Sequence, residues 1–169
     1  MDILEAINSR RSIRKFTGEV ISDENLKTIL KAGFQAPSAH NIQPRDYVVI
    51  KDTEIIRKIT EFHQYTKMLP KAGCAIAVCG DKEKQSNIGF LVEDCSASIQ
   101  NMLLTAHGLG LGAVWCGIYS ADNLVESMSK LLKLPGHIVP IGMVVVGTKV
   151  EDKKPIDRYD ETKVHFNRW

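Results

Sequence analysis

The chain has 169 residues, of which 44% are hydrophobic and 25% are charged, as is usual for a globular protein of one domain. Its 22 basic and 20 acidic residues leave a net charge of +2, which gives no indication of a nucleic acid as a partner. No apolar run reaches the roughly 18 residues of a membrane span, and the first residues do not resemble a signal peptide, so we expect one cytoplasmic domain over residues 1–169 without a membrane partner.

The first part of the chain predicts two helices and a strand. Ile3, Leu4 and Ile7 form an apolar helical face that ends near Arg10. Ser22 is a suitable N-cap for a second helix, which must stop before Pro37. A short strand over residues 47–50 follows.

The middle of the chain predicts a buried strand and a central helix. Asp52 caps a third helix, and residues 75–79 form an apolar strand. The helix over residues 91–106 is apolar on nearly all sides, which indicates a buried central position. We interpret the glycines of residues 108–112 as the end of this helix and a tight turn, because a dinucleotide-binding loop would follow a strand and precede a helix.

The last part predicts two strands around one helix, then a tail. The strands cover residues 113–117 and 141–147, and Ser120 caps the helix between them. The tail, residues 148–169, is extended and carries aromatic side chains, so we expect it to dock on its own subunit or on a partner. Because strands alternate with helices, the pattern indicates an α/β or α+β fold.

The four cysteines predict buried, reduced thiols. All of them lie in apolar runs, none forms a C-x-x-C pair, and no histidine stands at metal-ligand spacing from them. We therefore predict no metal site. The cysteines are Cys74, Cys79, Cys95 and Cys116.

A cationic cluster follows the first helix. Arg10, Arg11 and Arg14 stand beside Ser12, a composition that suits a phosphate because each guanidinium can bind two anionic oxygens. The cluster is equally compatible with a solvated surface at the negative end of a helix dipole, or with a nucleic-acid backbone.

A turn-rich segment over residues 37–44 joins the second helix to the first strand. Its Ser, Asn and Gln side chains suit hydrogen bonding to a planar heterocycle, although a rigid connection would use the same residues. The five histidines have no evident partner carboxylate or nucleophile. If the protein is an enzyme, we expect a cofactor to supply the reactive group, and we predict no catalytic side chain.

Together these motifs resemble the nitroreductase family of flavoproteins, in family order and over nearly the whole chain. The segments that carry the resemblance are Arg-Arg-Ser-Ile-Arg at 10–14, Pro-Ser-Ala-His-Asn-Ile-Gln-Pro at 37–44, the helical segment 93–101, the strand region 108–119, Asp-Arg-Tyr at 157–159, and the C-terminal residues 163–169.

The resemblance implies an α+β fold of three layers, with a central, mostly antiparallel sheet of four or five strands flanked by helices. It implies FMN, bound without a covalent bond at the interface of an interlocked homodimer. In that arrangement residues 148–169 form an extended C-terminal arm that is exchanged across the dimer and packs on the partner subunit.

The resemblance also assigns the site residues. Those that match the phosphate and ribityl motifs are Arg10, Arg11, Ser12, Arg14 and Arg158. Those expected near the pyrimidine edge of the flavin are Gln64 and Lys67, and those expected on the other face of the ring are Cys116 and Gly117. The residues expected from the other subunit are Pro37, Ser38, Ala39, Asn41 and Gln43.

The implied activity is oxidoreduction with NAD(P)H as co-substrate. NAD(P)H would pass a hydride to the flavin, and a small electron-poor acceptor, a nitroaromatic or a quinone, would then be reduced at the same place in a ping-pong mechanism. Two alternatives remain open at this point: a protein that binds or stores FMN without turnover, and a nucleic-acid-binding module that uses the arginine cluster.

Overall fold

The computed structural model describes residues 1–169 and contains five α-helices and four β-strands. The helices are α1 (Ile3–Ser9), α2 (Asp23–Phe34), α3 (Thr53–Phe62), α4 (Ile88–Gly108) and α5 (Asp122–Leu132). The strands are β1 (Arg45–Ile50), β2 (Cys74–Asp81), β3 (Gly112–Gly117) and β4 (Ile138–Gly147). The predicted order of helices and strands is thereby confirmed.

The strands form one sheet in the order β1-β2-β4-β3, and all neighbouring strands are antiparallel. The register pairs Ile50 with Ala75 between β1 and β2, and Gly117 with Gly142 between β3 and β4. The predicted antiparallel character is confirmed, and β3 and β1 are the edges of the sheet.

The sheet is covered by helices on both faces. Every residue of β2 is buried, and its side chains alternate between two hydrophobic clusters. Ile76 belongs to the cluster with α2 and α4, whereas Ala77 belongs to the cluster with α3 and α5. This alternation, which follows from the twofold repeat of a strand, produces the predicted three layers.

Two of the three predicted N-caps of helices are confirmed. The Ser22 hydroxyl accepts a hydrogen bond from the backbone of Asn25, and the Asp52 carboxylate accepts one from the backbone of Ile55. The prediction for Ser120 is wrong, because α5 begins after Ala121, which supplies no side-chain cap. The backbone N–H of Tyr119, directly before Ser120, still donates to the carbonyl of Ile141 in β4. The helix therefore begins after this contact, at Asp122.

Within one subunit, the central helix α4 is buried on the side that faces the sheet and α2. Glu93 and Gln100 are exposed, whereas Ile99 and Met102 are fully buried. The helix ends as predicted, since Gly110 adopts a left-handed φ of 78°. No helix of the structure has the length and apolarity needed to cross a lipid bilayer.

The two ends of the chain differ from the centre in their exposure. In α1 only Ala6 is buried, and the predicted apolar face of Ile3, Leu4 and Ile7 is exposed. Residues 148–150 lie beside residues 15–17 of the same chain, with hydrogen bonds from Thr17 to Thr148 and from Val150 to Lys15. The hydrogen bonds formed by the side chains and turns of residues 157–169 stay within that segment.

The four cysteines are buried and have free thiols, as the sequence predicts. Burial raises the pKa of Cys74 and Cys116 to about 11, and that of Cys79 and Cys95 to about 12. These thiols therefore stay protonated at neutral pH.

Candidate functional site

The segment after α1 runs along the exposed edge of β3. The backbone N–H of Ile13 donates to the carbonyl of Ala113 at 3.0 Å, and Ser12 pairs with Ala113 in a parallel bridge. A Cβ atom at Gly112 would lie 2.7 Å from Cγ2 of Ile13, so the glycine permits this close approach. Arg10 and Arg11 of this segment line one cavity, and Arg14 lines another.

The first cavity has a volume of about 560 Å³ and is lined by α1 and by the C-terminal arm. Arg10, Arg11 and Arg158 meet in it, although Arg158 is distant in the sequence. The pKa of Arg10 is lowered by burial and by the positive charges of the other two arginines. The one lining carboxylate, that of Asp157, accepts the backbone N–H of Tyr159 at 2.9 Å.

The three arginines of this cavity are not equivalent. The Arg11 guanidinium donates to the carbonyls of Asn8 at 3.0 Å and Ile156 at 3.2 Å, and thereby joins α1 to the arm. Arg10 and Arg158 form neither an ion pair nor a side-chain hydrogen bond. Their positive charges are therefore free to bind an anion.

The second cavity has a volume of about 520 Å³ and lies between β3 and the chain that follows α3. Arg14 and Lys67 supply positive charge, and neither forms an ion pair. The walls combine apolar surface with a few polar groups, which is typical of a site for a flat heterocycle. The lining residues are Arg14, Gln64, Tyr65, Lys67, Met68, Val114, Trp115, Cys116 and Gly117.

Two contacts fix the walls of the second cavity relative to each other. His63 is buried, and its Nε2 atom lies 2.9 Å from the carbonyl oxygen of Gly117. Because a carbonyl only accepts, Nε2 carries the hydrogen. The thiol of Cys116 points to the carbonyl of Tyr65 at 3.8 Å. The sequence analysis did not find His63, whose only signal is its position directly before Gln64.

Ser12 lies outside both cavities. Its carbonyl accepts a hydrogen bond of 2.8 Å from Nζ of Lys153, which ties the arm to the segment after α1. The five predicted residues of the segment 37–43 also line neither cavity. They are Pro37, Ser38, Ala39, Asn41 and Gln43.

The segment 37–43 and the arginine cavity lie beside different parts of α4. The backbone N–H of Ala39 donates to the Asp94 carboxylate at 2.8 Å, near the start of the helix. Ser9, next to Arg10, contacts His107 at 2.7 Å near the end of the helix. A rise of 1.5 Å per residue puts these two contacts roughly 20 Å apart.

A separate polar cluster joins Asp81, Glu83 and His137, whose ligand atoms lie within 4.8 Å of one another. The Asp81 carboxylate already accepts the backbone N–H groups of Glu83 and Lys84 and pairs with the Lys84 ammonium at 3.5 Å. The hydrogen-bonding capacity of the Asp81 carboxylate is therefore used to cap the turn that follows β2.

Comparisons with known proteins agree with this architecture. The model of the nitroreductase family matches residues 7–65 and 61–148. A candidate NADH dehydrogenase/NAD(P)H nitroreductase from Methanothermobacter thermautotrophicus is 40% identical over 169 residues, which cover 100% of this chain and 88% of that protein.

Two solved structures are also similar. A candidate NADH dehydrogenase/NAD(P)H nitroreductase from Parabacteroides distasonis has a TM-score of 0.94 and 35% identity, with 98% of each chain covered. A candidate nitroreductase from Desulfovibrio desulfuricans, solved in complex with FMN, has a TM-score of 0.86 and 30% identity, covering 100% of this chain and 98% of that one. The chain therefore belongs to the nitroreductase family.

Proposed function

We propose that the protein is an FMN-dependent oxidoreductase that uses NAD(P)H to reduce a small electron-poor acceptor. The observation that carries this proposal is the pair of unpaired guanidiniums, Arg10 and Arg158, in a cavity beside the second, more apolar cavity. A solved relative in complex with FMN supports the choice of cofactor.

The residues of both cavities fit FMN. Arg10 and Arg158 would hold the phosphate, whose negative charge offsets the repulsion that lowers the pKa of Arg10. Arg10 lines the first cavity and Arg14, four residues later, lines the second, so one FMN would have its phosphate beside Arg10 and its ring beside Arg14. A cavity lined by three arginines suits one small anion better than an extended nucleic acid.

The second cavity would hold the ring. Lys67 and Arg14 would stabilise negative charge at the edge of the ring, and Gln64 would hydrogen-bond to it. Cys116 and Gly117 would line one face, held in place by Tyr65 and His63. When bound, FMN supplies the redox chemistry, accepting a hydride from NAD(P)H and returning electrons to a nitroaromatic or a quinone.

The proposal includes an obligate homodimer. The segment 37–43 lines neither cavity of its own subunit and contacts α4 roughly 20 Å from the arginine cavity, so it would contact the flavin of the other subunit. The exposed apolar residues of α1 and of residues 157–169 would supply the rest of the interface. In this arrangement residues 1–169 form one domain, and the arm over 148–169 extends to the partner.

The second cavity is open, so donor and acceptor would occupy it in turn. We expect parallel double-reciprocal lines when initial rates are measured at several fixed acceptor concentrations. Intersecting lines would mean that both ligands bind together. The predicted cytoplasmic location belongs to the same proposal.

An absorption spectrum of the purified protein tests the proposal most directly. We expect the bands of oxidised flavin, their loss on anaerobic addition of NAD(P)H, and their return with a nitroaromatic or a quinone. A colourless protein that takes up no FMN would contradict the proposal. Bound flavin without steady NAD(P)H consumption in the presence of an acceptor would instead indicate a storage protein.

A further inference from the structure

The segment between α2 and β1 has an unusual backbone. His40, Asn41 and Gln43 adopt positive φ angles of 51°, 55° and 55°, and none of them is a glycine. Non-glycine residues are uncommon in this left-handed region, although His and Asn enter it more readily than most. The side chain of Arg45, at the start of β1, contacts this segment.

Arg45 is buried, with 4% of its surface exposed, and its guanidinium hydrogen-bonds to the segment between α2 and β1. It donates to the carbonyls of Ala36 at 2.8 Å, Pro37 at 2.9 Å and Asp94 at 3.2 Å. It also donates to the side-chain oxygen of Gln43. One side chain thus binds both ends of the segment.

These contacts fix the orientation of two side-chain amides. A guanidinium only donates, so Gln43 must turn its oxygen towards Arg45 and its Nε2 away from it. That Nε2 donates to the side-chain oxygen of Asn41 at 2.9 Å. The oxygen of the exposed Asn41 amide therefore faces Gln43, and its Nδ2 group, which has no hydrogen-bond partner in the chain, keeps both hydrogens to donate.

Arg45 thereby determines whether the Asn41 side chain presents a hydrogen-bond donor or an acceptor to a ligand. We infer that Arg45 is a positioning residue that acts through Gln43, so that Asn41 presents N–H donors to an acceptor atom of the flavin ring, a carbonyl oxygen or a ring nitrogen. This inference rests on the proposed function, in which the segment contacts the flavin of the other subunit.

The variant Gln43→Glu tests this orientation. A glutamate still accepts from Arg45, but its second oxygen replaces the amide that donates to Asn41. Asn41 must then rotate, donate to the glutamate and turn its own oxygen outward. We expect FMN to bind roughly tenfold more weakly, because a donor faces the ring in the natural protein and an acceptor in the variant.

Gln35→Glu is the matched control, because it makes the same chemical change at an exposed residue at the end of α2. Its dissociation constant for FMN, measured by fluorescence quenching, should stay within about twofold of that of the natural protein. Equal FMN affinity of the Gln43→Glu and Gln35→Glu proteins would overturn the inference.

A double-mutant cycle with Asn41→Gly separates positioning from general damage to the fold. Glycine accepts the positive φ of this residue and removes the amide. The Gln43→Glu change should have little further effect on FMN affinity in the Asn41→Gly background. Equal losses in both backgrounds would overturn the inference, since Gln43 would then act independently of Asn41.

The absorption band of bound flavin gives a second readout, because it responds to hydrogen bonds at the ring. We expect the band to shift in the Gln43→Glu protein and not in the Gln35→Glu protein. An unshifted band in Gln43→Glu would contradict the inference. Failure of the natural protein to bind FMN would overturn the proposed function and this inference with it, whereas FMN binding without sensitivity to Gln43 overturns the inference alone.

Discussion

β2 and β4 carry apolar residues that the rest of the same chain buries, whereas α1 and residues 157–169 carry apolar residues that it leaves exposed. In β2 every residue is buried, and both faces are covered by helices. In the terminal regions Ile7, Phe166 and Trp169 are exposed. The centre of the molecule therefore folds around its own contacts, whereas the terminal regions leave apolar surface exposed that the proposed homodimer would cover.

The buried centre and the exposed terminal regions also contribute to the free energy of unfolding in different ways. The burial of β2 and β4 contributes to the free energy of unfolding of each chain at any protein concentration. Exposed apolar residues contribute only when another surface covers them, so their contribution depends on protein concentration. The proposed homodimer supplies that surface.

The largest expected effect comes from deleting residues 159–169. Without Tyr159, Phe166 and Trp169, the surfaces that this segment covers in the proposed dimer become exposed, and we expect aggregates or protein without FMN. Analytical ultracentrifugation and the flavin absorbance measure the result. A native-like monomer that retains FMN would contradict the dimer and leave the terminal aromatic residues unexplained.

A pair of identical substitutions compares the two regions directly. Ile76→Ala removes a fully buried side chain from β2 and should lower the free energy of unfolding by roughly 2–5 kcal/mol at every protein concentration. Ile7→Ala on the exposed face of α1 should have little effect where the subunits are separate and a larger effect as the protein concentration rises and the interface forms.

Urea unfolding at two protein concentrations measures both variants. If Ile7→Ala lowers stability by the same amount at both concentrations, α1 packs within its own subunit in solution. A loss of well under 1 kcal/mol in Ile76→Ala would contradict the buried position of β2.

The buried centre was predictable because its signals are local. The apolar strands, the caps at Ser22 and Asp52 and the glycine end of α4 each depend on a few neighbouring residues. Ser120 misled the prediction because its neighbours stay bound to β4, a tertiary contact that no local pattern shows.

The candidate site was predictable only in part. The family resemblance points to Arg10 and Arg158, but their meeting in one cavity depends on how the arm returns to α1. His63 and Arg45 act through hydrogen bonds to backbone carbonyls outside their own helix or strand, which leave no periodic signal in the sequence. The left-handed backbone at Asn41 was equally hidden, because no glycine marks it.

Arginine substitutions examine the terminal regions at the cavity where α1 meets the arm. Arg10→Ala or Arg158→Ala should leave a folded protein and weaken FMN binding by ten- to hundredfold, from the roughly 1.5–3 kcal/mol of a charge-assisted hydrogen bond. Arg57→Ala is the control, since Arg57 is exposed on α3 and pairs with Glu54 and Glu61. Unchanged FMN affinity in both test variants would exclude this cavity as the phosphate site.

The smallest expected effect concerns the contact between α1 and α4. The Ser9 hydroxyl donates to the carbonyl of Glu5 at 2.6 Å, so Nε2 of His107 donates to Ser9. Burial lowers the pKa of His107 below its ordinary value of 6.5, and the positive charges of Lys149 and Arg10 lower it further, against the opposing charge of Glu5.

A lowered pKa means that the unfolded chain binds a proton more readily than the folded chain. The contribution of His107 to stability is therefore fully present above pH 6.5 and is lost as the pH falls through its folded pKa. In His107→Gln the amide can still donate to Ser9 but does not titrate, so the free energy of unfolding should fall less between about pH 7 and pH 5 than in the natural protein. Identical pH profiles for the two proteins would mean that folding does not lower the pKa of His107, and would contradict its partly buried position between α1 and α4.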